Sequence, residues 1–313
     1  MTGSDLVLGA MYFGTRLDAA TSMALLDRFV DQGGIWIDTA NCYAFWADPS
    51  GIGGQSETLI GQWLAARPGM RDRVRISTKV RHQPTEPGRW PESAEGLSAA
   101  VIRDAVQKSL GRLRTDRIDL YWAHAEDRSV PLAETVDAFG QLAASGLARR
   151  LGASNHAAWR MERARQLARA RSVAGFTAIQ LRHSYVHPRP GVRLPEAGHQ
   201  LMSPEVLDYA RSEGDLALWA YTSLINGSYT RPDRPLPEIY DHPGTVRRLA
   251  VLSRVAAEVG ATRNQVVLAW LPRGEPAVSP IVGVSTAEQL DEALAARHVE
   301  LTADQRGRLD EAS

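Results

Sequence analysis

Four residues of this chain could move a proton together. Asp38, Lys79 and His124 each stand at or beside the end of a strand-length apolar run (IWID, VRISTKV and RIDLYWAH), and Tyr43 lies five residues beyond Asp38. An ammonium beside a phenol favours the phenolate and makes the phenol a stronger acid. A carboxylate at position 38 would hold that ammonium in place and offset its desolvation. An imidazole at 124 can bond to the phenol or to a substrate carbonyl. Together they describe a tyrosine that protonates a carbonyl oxygen while hydride reaches the carbon. Other chemistries fit less well. None of the four is an acyl-transfer nucleophile, adjacent run ends carry no glycosidase-type carboxylate pair, and no metal-ligand spacing occurs there.

The next runs continue the pattern. ARRLGASN closes on Ser154 and Asn155, and FTAIQ closes on Gln180. Each residue alone has a plainer reading: Asp38 as a loop cap, Lys79 as a solvated run end, His124 as a structural histidine, Ser154-Asn155 as the N-cap of the next helix. Five successive run ends of this kind favour one shared site. Trp46 and Trp90 fall in the adjoining loops and are candidate substrate contacts. Trp122 sits inside a run and reads equally as core.

A (β/α)8 barrel would bring these positions to one mouth, because its strands converge at their C-terminal ends. Apolar runs at 6–13, 35–38, 74–80, 117–124, 148–155, 176–180, 216–222 and 277–285 alternate with helical patterns. The helical stretches begin at Asp18, Ser56 and Ser203 as N-caps, the last followed by Pro204 at the first helical position, and also cover 98–113, 132–146, 157–170, 244–260 and 262–271. The final one spans 287–296. The expected architecture is therefore α/β, a single barrel domain over residues 1–313. The rival, a doubly wound sheet that binds dinucleotides, needs G-x-G-x-x-G after a strand. Gly51-Ile52-Gly53-Gly54 lacks the third glycine and follows no strand run. Two long irregular stretches, 81–96 and 182–202, follow strand runs and so become substrate loops of the mouth.

Composition narrows the partners. Thirty-six basic and thirty-six acidic side chains cancel, so no global field draws the chain to nucleic acid or anionic lipid. The basic run at 160–172 then reads as a solvated helix face. A chain that is 44% apolar and 23% charged is globular rather than disordered. Cys42, the sole cysteine, excludes an internal disulfide and any Cys-based metal centre, and fits a reducing compartment. The opening MTGSDLVLGAMYFG lacks a secretory pattern, and no apolar run nears the ~20 residues of a membrane span. A cytoplasmic protein with a small-molecule substrate, no bound metal and no nucleic-acid or membrane partner is expected; oligomeric state stays open.

The motifs LGAMYFGT (8–15), IDTANCY (37–43), STKV (77–80), IDLYWAH (118–124), LGASNH (151–156), AIQ (178–180), AYTSLINGSY (220–229) and IVGVSTAEQLDEAL (281–294), in this order, resemble the aldo-keto reductase family over nearly the whole chain. The resemblance implies a catalytic tetrad of Asp38, Tyr43, Lys79 and His124, with Tyr43 the acid. It implies that Ser154, Asn155 and Gln180 bond the nicotinamide carboxamide and that Tyr221 stacks on its ring. Thr222, Ser223, Leu224, Asn226 and Gly227 match the loop around the pyrophosphate, and Gly283, Ser285, Gln289 and Glu292 the adenosine end; Met11 and Asp38 join the cofactor set. The implied activity is NADPH-dependent reduction of an aldehyde or ketone. Arginines in the loops (Arg89, Arg189, Arg193) suggest a keto-sugar among the possible substrates. The sequence also departs from the family. Ser223 replaces a proline, Ala293 an asparagine and His183 a tyrosine, and no lysine stands beside Ser285 to hold a 2′-phosphate, leaving Arg273 as the nearby cation and NADH as the alternative cofactor. The resemblance extends to the potassium-channel β subunits, so a cofactor-binding regulatory protein with little turnover is the alternative function.

Overall fold

A computed structural model describes residues 6–196 and 198–312. Eight parallel strands pair in chain order and close into a barrel. They are β1 (Val7–Gly9), β2 (Trp36–Asp38), β3 (Arg75–Val80), β4 (Leu120–Ala123), β5 (Leu151–Ser154), β6 (Ala178–Arg182), β7 (Ala217–Tyr221) and β8 (Val278–Gly283). In the first half α1 (Ala19–Asp31) follows β1, α2 (Gln55–Ala65) and the short α3 (Met70–Arg73) follow β2, α4 (Ala99–Leu113) follows β3, α5 (Leu132–Ala144) follows β4 and α6 (Ala158–Ala170) follows β5. In the second half come α7 (Pro204–Glu213), α8 (Pro243–Glu258), α9 (Arg263–Trp270), α10 (Ala287–Ala295) and α11 (Ala303–Glu311). This is the expected (β/α)8 barrel. Residues 7–180 pack as one compact unit, and the described residues from 181 onward, with Leu6, as another.

The strands are short and buried, as a parallel sheet covered on both faces requires. Every residue of β4, β5 and β6 is buried. Several strand runs extend beyond the paired backbone: the run at 117–124 contributes only Leu120–Ala123 to the sheet. Helix starts follow side-chain chemistry. Asp18, Ser98 and Ser203 each accept a hydrogen bond from the backbone N–H three residues on, with Pro204 at the first helical turn of α7.

Two expectations need correction. Ser56 is not a cap: α2 begins from Gly54 in the left-handed region (φ 111°), and Ser56 is buried, its hydroxyl donating to the Ala10 carbonyl at 2.7 Å. Nor is 287–296 the last helix. α11 follows it, closed by a capping box of Thr302 and Gln305, and its one buried residue is Leu309, too little to mark the sequence with an apolar stripe. Trp122 is fully buried, and a Cβ on Gly152 would meet its ring at 2.3 Å, so this indole belongs to the core. No described helix is long and apolar enough to cross a membrane.

Candidate active site

Strand register sets the first side chains. Asp38 ends β2 opposite Ser77 of β3, and Lys79 lies two residues further along β3, on the same face as Ser77. Asp38 Oδ1 accepts from Ser77 Oγ at 2.5 Å and from Gln180 Nε2 at 3.4 Å, and Oδ2 accepts from Lys79 Nζ at 2.5 Å. Lys79 donates twice more, to the Thr39 carbonyl at 2.8 Å and to the Tyr43 hydroxyl at 3.1 Å. All three ammonium protons therefore have protein acceptors. Thr78 points the other way, donating at 2.5 Å to the buried Glu57 of α2, whose second oxygen accepts from Arg112 Nε at 2.7 Å. This pins β3 to α2 and α4 behind the lysine.

His124 follows β4, its ring centroid 5.7 Å from that of Tyr43 and nearly perpendicular to it. Asn155 adopts φ 55° and donates from its side-chain amide to the His124 carbonyl at 3.1 Å and to Ser154 Oγ at 3.1 Å. Helix α6 starts after Ala157 with no side-chain cap, so Ser154 and Asn155 do not serve as its N-cap. Ser154 and Gln180 are register partners across β5 and β6. The structure thus gathers Asp38, Tyr43, Lys79, His124, Ser154, Asn155 and Gln180 around adjoining strand ends. Met11 lies half-buried in the turn after β1. Ser77, which the sequence reading missed, was marked by its period-two spacing from Lys79.

The electrostatics differ from the expected picture. Burial lowers the Lys79 ammonium below its ordinary 10.5, with Asp38 acting against the drop. Burial, and next the Asp38 carboxylate, push the Tyr43 phenol well above its ordinary 10.0. A phenol acidified by Lys79 is therefore not what this geometry produces. The ammonium sits tightest on Asp38, which cancels much of its field at the phenol. Tyr43 stays protonated at neutral pH. Burial likewise raises the Cys42 thiol to about 12, and its Sγ lies 3.6 Å from His124 Nδ1.

Trp46 and Trp90 belong to an aromatic strip that ends at His124. Trp46 touches Tyr12 (6.4 Å between centroids) and Phe45 (5.0 Å); Phe45 meets Trp90 at 5.7 Å; His82 meets Trp90 at 6.4 Å and His124 at 5.3 Å. Loop 81–96 folds back on itself, Pro84 bridging Ala94. Glu95 fastens it: one carboxylate oxygen accepts from the Asn41 side chain and from the Arg81 backbone N–H, the latter at 3.0 Å. Arg89 pairs with Glu86 at 2.7 Å, both largely exposed.

Within residues 181–312 the predicted cofactor positions fall on two features. The first is the loop after β7. Leu224 (φ −105°, ψ 7°) is followed by Ile225 at φ 47°, and the Ile225 N–H turns back to the Thr222 carbonyl at 3.0 Å. Thr222, Asn226 and Gly227 also have positive φ. Ser223 anchors the loop base, donating to the Ala220 carbonyl at 2.8 Å while its own carbonyl accepts from Ser184 at 2.5 Å. Tyr221 meets His199 edge-on at 5.1 Å. The second feature is the start of α10 beyond Gly283, where the Ser285 N–H donates to Gln289 Oε1 at 2.7 Å. Glu292 turns to α9, accepting from Thr262 at 2.6 Å and from the Asn264 amide at 3.3 Å. Arg273 donates to the carbonyls of Val299 and Arg297. His183 is buried, stacked on Trp270, and burial depresses its pKa to about 3.

A family model described as the aldo/keto reductase family matches residues 5–313. The chain belongs to that family. It is an NAD(P)H-dependent oxidoreductase. It is similar to an uncharacterized oxidoreductase, YrpG, of Bacillus subtilis, with 31% identity over 95% of this chain and 88% of the relative. The norsolorinic acid reductase stcV of Emericella nidulans is also 31% identical, over 96% of this chain and 75% of that one. The human aflatoxin B1 aldehyde reductase member 4 is 38% identical over 72% of this chain and 59% of its own length.

Proposed function

We propose that this aldo/keto reductase converts an aldehyde or ketone to an alcohol, with NADPH as hydride donor and Tyr43 as proton donor. The observation that carries the reading is Lys79 Nζ placed 2.5 Å from Asp38 and 3.1 Å from the Tyr43 hydroxyl. Relatives whose names specify an aldehyde reductase and norsolorinic acid reductases support carbonyl reduction.

A bound nicotinamide supplies hydride to the carbonyl carbon; the chain's own residues manage the oxygen. Lys79 donates to the phenol oxygen, so the phenol's own proton points elsewhere, toward an incoming carbonyl. His124 flanks the same phenol and supplies a second hydrogen-bonding group for that carbonyl. The raised pKa of Tyr43 keeps its proton in place until alkoxide character develops, and an alkoxide is a far stronger base than a phenolate. Lys79 then steadies the phenolate left behind, and Asp38 holds Lys79. In this reading Ser154, Asn155 and Gln180 bind the carboxamide. Met11 and Asp38 complete the cofactor set of residues 7–180. Among residues 181–312, Tyr221 stacks on the nicotinamide ring, residues 222–227 cradle the diphosphate and Gly283, Ser285, Gln289 and Glu292 contact the adenosine end.

Tyr43→Phe tests the acid. Its kcat should fall by ~10²-fold or more while NADPH affinity, read by fluorescence titration, stays near the parent value. Unchanged kcat would remove Tyr43 from the role. The same titration compares cofactors. With no lysine beside Ser285 and Arg273 bonded to carbonyls, the preference for NADPH over NADH should be small. Tight NADPH binding with no turnover across a carbonyl panel would favour a regulatory protein instead.

A further inference from the structure

The one cysteine of the chain stands where its side chain meets His124. Cys42 is 3% exposed, and its Sγ lies 3.6 Å from His124 Nδ1, within range of a hydrogen bond to sulfur. Both backbones are tied down. Beside Cys42 the Asn41 N–H donates to the Lys79 carbonyl at 3.1 Å, and the Cys42 carbonyl accepts from the Phe45 N–H at 3.1 Å. Gly53 presses on the same turn, since a Cβ there would meet Cys42 Cα at 2.5 Å. His124 donates its backbone N–H to the Val80 carbonyl at 3.0 Å, and its carbonyl accepts from the Asn155 side chain at 3.1 Å. What the backbone leaves open is the rotation of the imidazole and the placing of its proton. The thiol touches the ring at an atom that bears on both.

A cysteine beside a histidine has two chemical readings. A thiolate–imidazolium pair is a nucleophile and needs access and an acidic thiol. Cys42 has neither: it is sealed, and burial pushes its thiol up to about 12 against the pull of the Lys79 ammonium. The other reading keeps the proton on sulfur. An S–H that donates to Nδ1 leaves the ring's proton on Nε2, because the bond made by one imidazole nitrogen decides which of the two is protonated. Resting on the carbonyl-reductase reading above, we propose that Cys42 is a positioning residue. Its thiol donates to Nδ1 and so holds His124 in the orientation and tautomer that offer Nε2–H to the carbonyl oxygen beside the Tyr43 hydroxyl.

The test uses the fastest aldehyde of the carbonyl panel. Cys42→Ala should lower kcat about fivefold, the worth of one such hydrogen bond, and Cys42→Ser, which keeps an O–H at that place, should recover most of the loss. The effect should run through the histidine, so in a His124→Gln background Cys42→Ala should cost nothing further. An equal fall in both backgrounds would overturn the proposal. ¹⁵N-histidine NMR reads the tautomer without turnover, the His124 signal being the one absent from His124→Gln. It should show Nε2–H in the parent and in Cys42→Ser, and a mixture of tautomers in Cys42→Ala. Nδ1–H in the parent, or the same single tautomer in Cys42→Ala, would overturn the assignment even if carbonyls are reduced. The expected spectra from a protein that reduces no carbonyl would sink the reductase reading and leave the hold of the thiol on the imidazole standing.

Discussion

Lys79 is fully buried and donates to three fixed oxygens, whereas Trp90 is 42% exposed and meets its neighbours through ring contacts. Both lie in residues 7–180, and Tyr43 and His124 stand where the two clusters meet. The first is built by strand register: adjacent β2 and β3 present Asp38, Ser77 and Lys79 to one another, and every polar atom named there has a partner. The second is built by loops, with one carboxylate, Glu95, tying loop 81–96 to the Asn41 side chain. Chemistry that repeats unchanged belongs in the first kind of environment. Substrate choice, which must vary, belongs in the second.

The largest effect that would sharpen this contrast is Lys79→Met. It leaves Asp38 buried with its strongest partner gone, which should cost roughly 3 kcal/mol of stability, read from denaturant unfolding, and at least ~10²-fold in kcat. A folded variant of normal stability would show that register, not charge pairing, holds the cluster. A smaller effect lies at the junction. Burial raises the Glu95 carboxyl above its ordinary 4.5, so the folded state binds this proton more tightly than the unfolded chain does. The stabilisation that comes with the proton is complete below 4.5 and fades as pH rises through the elevated folded value. The melting temperature of the parent relative to Glu95→Gln should therefore decline as pH climbs above 4.5, and a constant difference would mean that the carboxyl does not titrate in that window. The smallest effect belongs to the exposed Arg89–Glu86 pair: Arg89→Ala should shift stability by less than about 0.5 kcal/mol. A large loss there would break the distinction between the regions.

How far the sequence could be read follows the same line. Asp38, Lys79, His124, Ser154 and Gln180 were legible because a parallel strand announces itself by an apolar run and its end is a definite place. The barrel followed from eight such runs. Phe45 and His82 were not legible as part of a site, because a loop's path, and with it the φ of Arg81 and His82, depends on tertiary contacts such as Glu95 to Asn41. The direction of the Tyr43 shift was missed for a related reason: Lys79 and Asp38 could be paired on paper, but the depth at which they are buried could not. α11 escaped because a polar helix with one buried leucine has no periodicity to detect, although its capping box was there to be read.

The chain contains two lysines, Lys79 and Lys108. Lys108 lies on α4 with its side chain 59% exposed beside Asp104, while the amine of Lys79 is sealed. An acylating reagent applied to the native protein therefore has one lysine within reach, and a mark on the other can arise only in molecules whose strand ends have momentarily parted. The accident of lysine scarcity gives this protein a built-in clock for the breathing of the strand ends around Lys79.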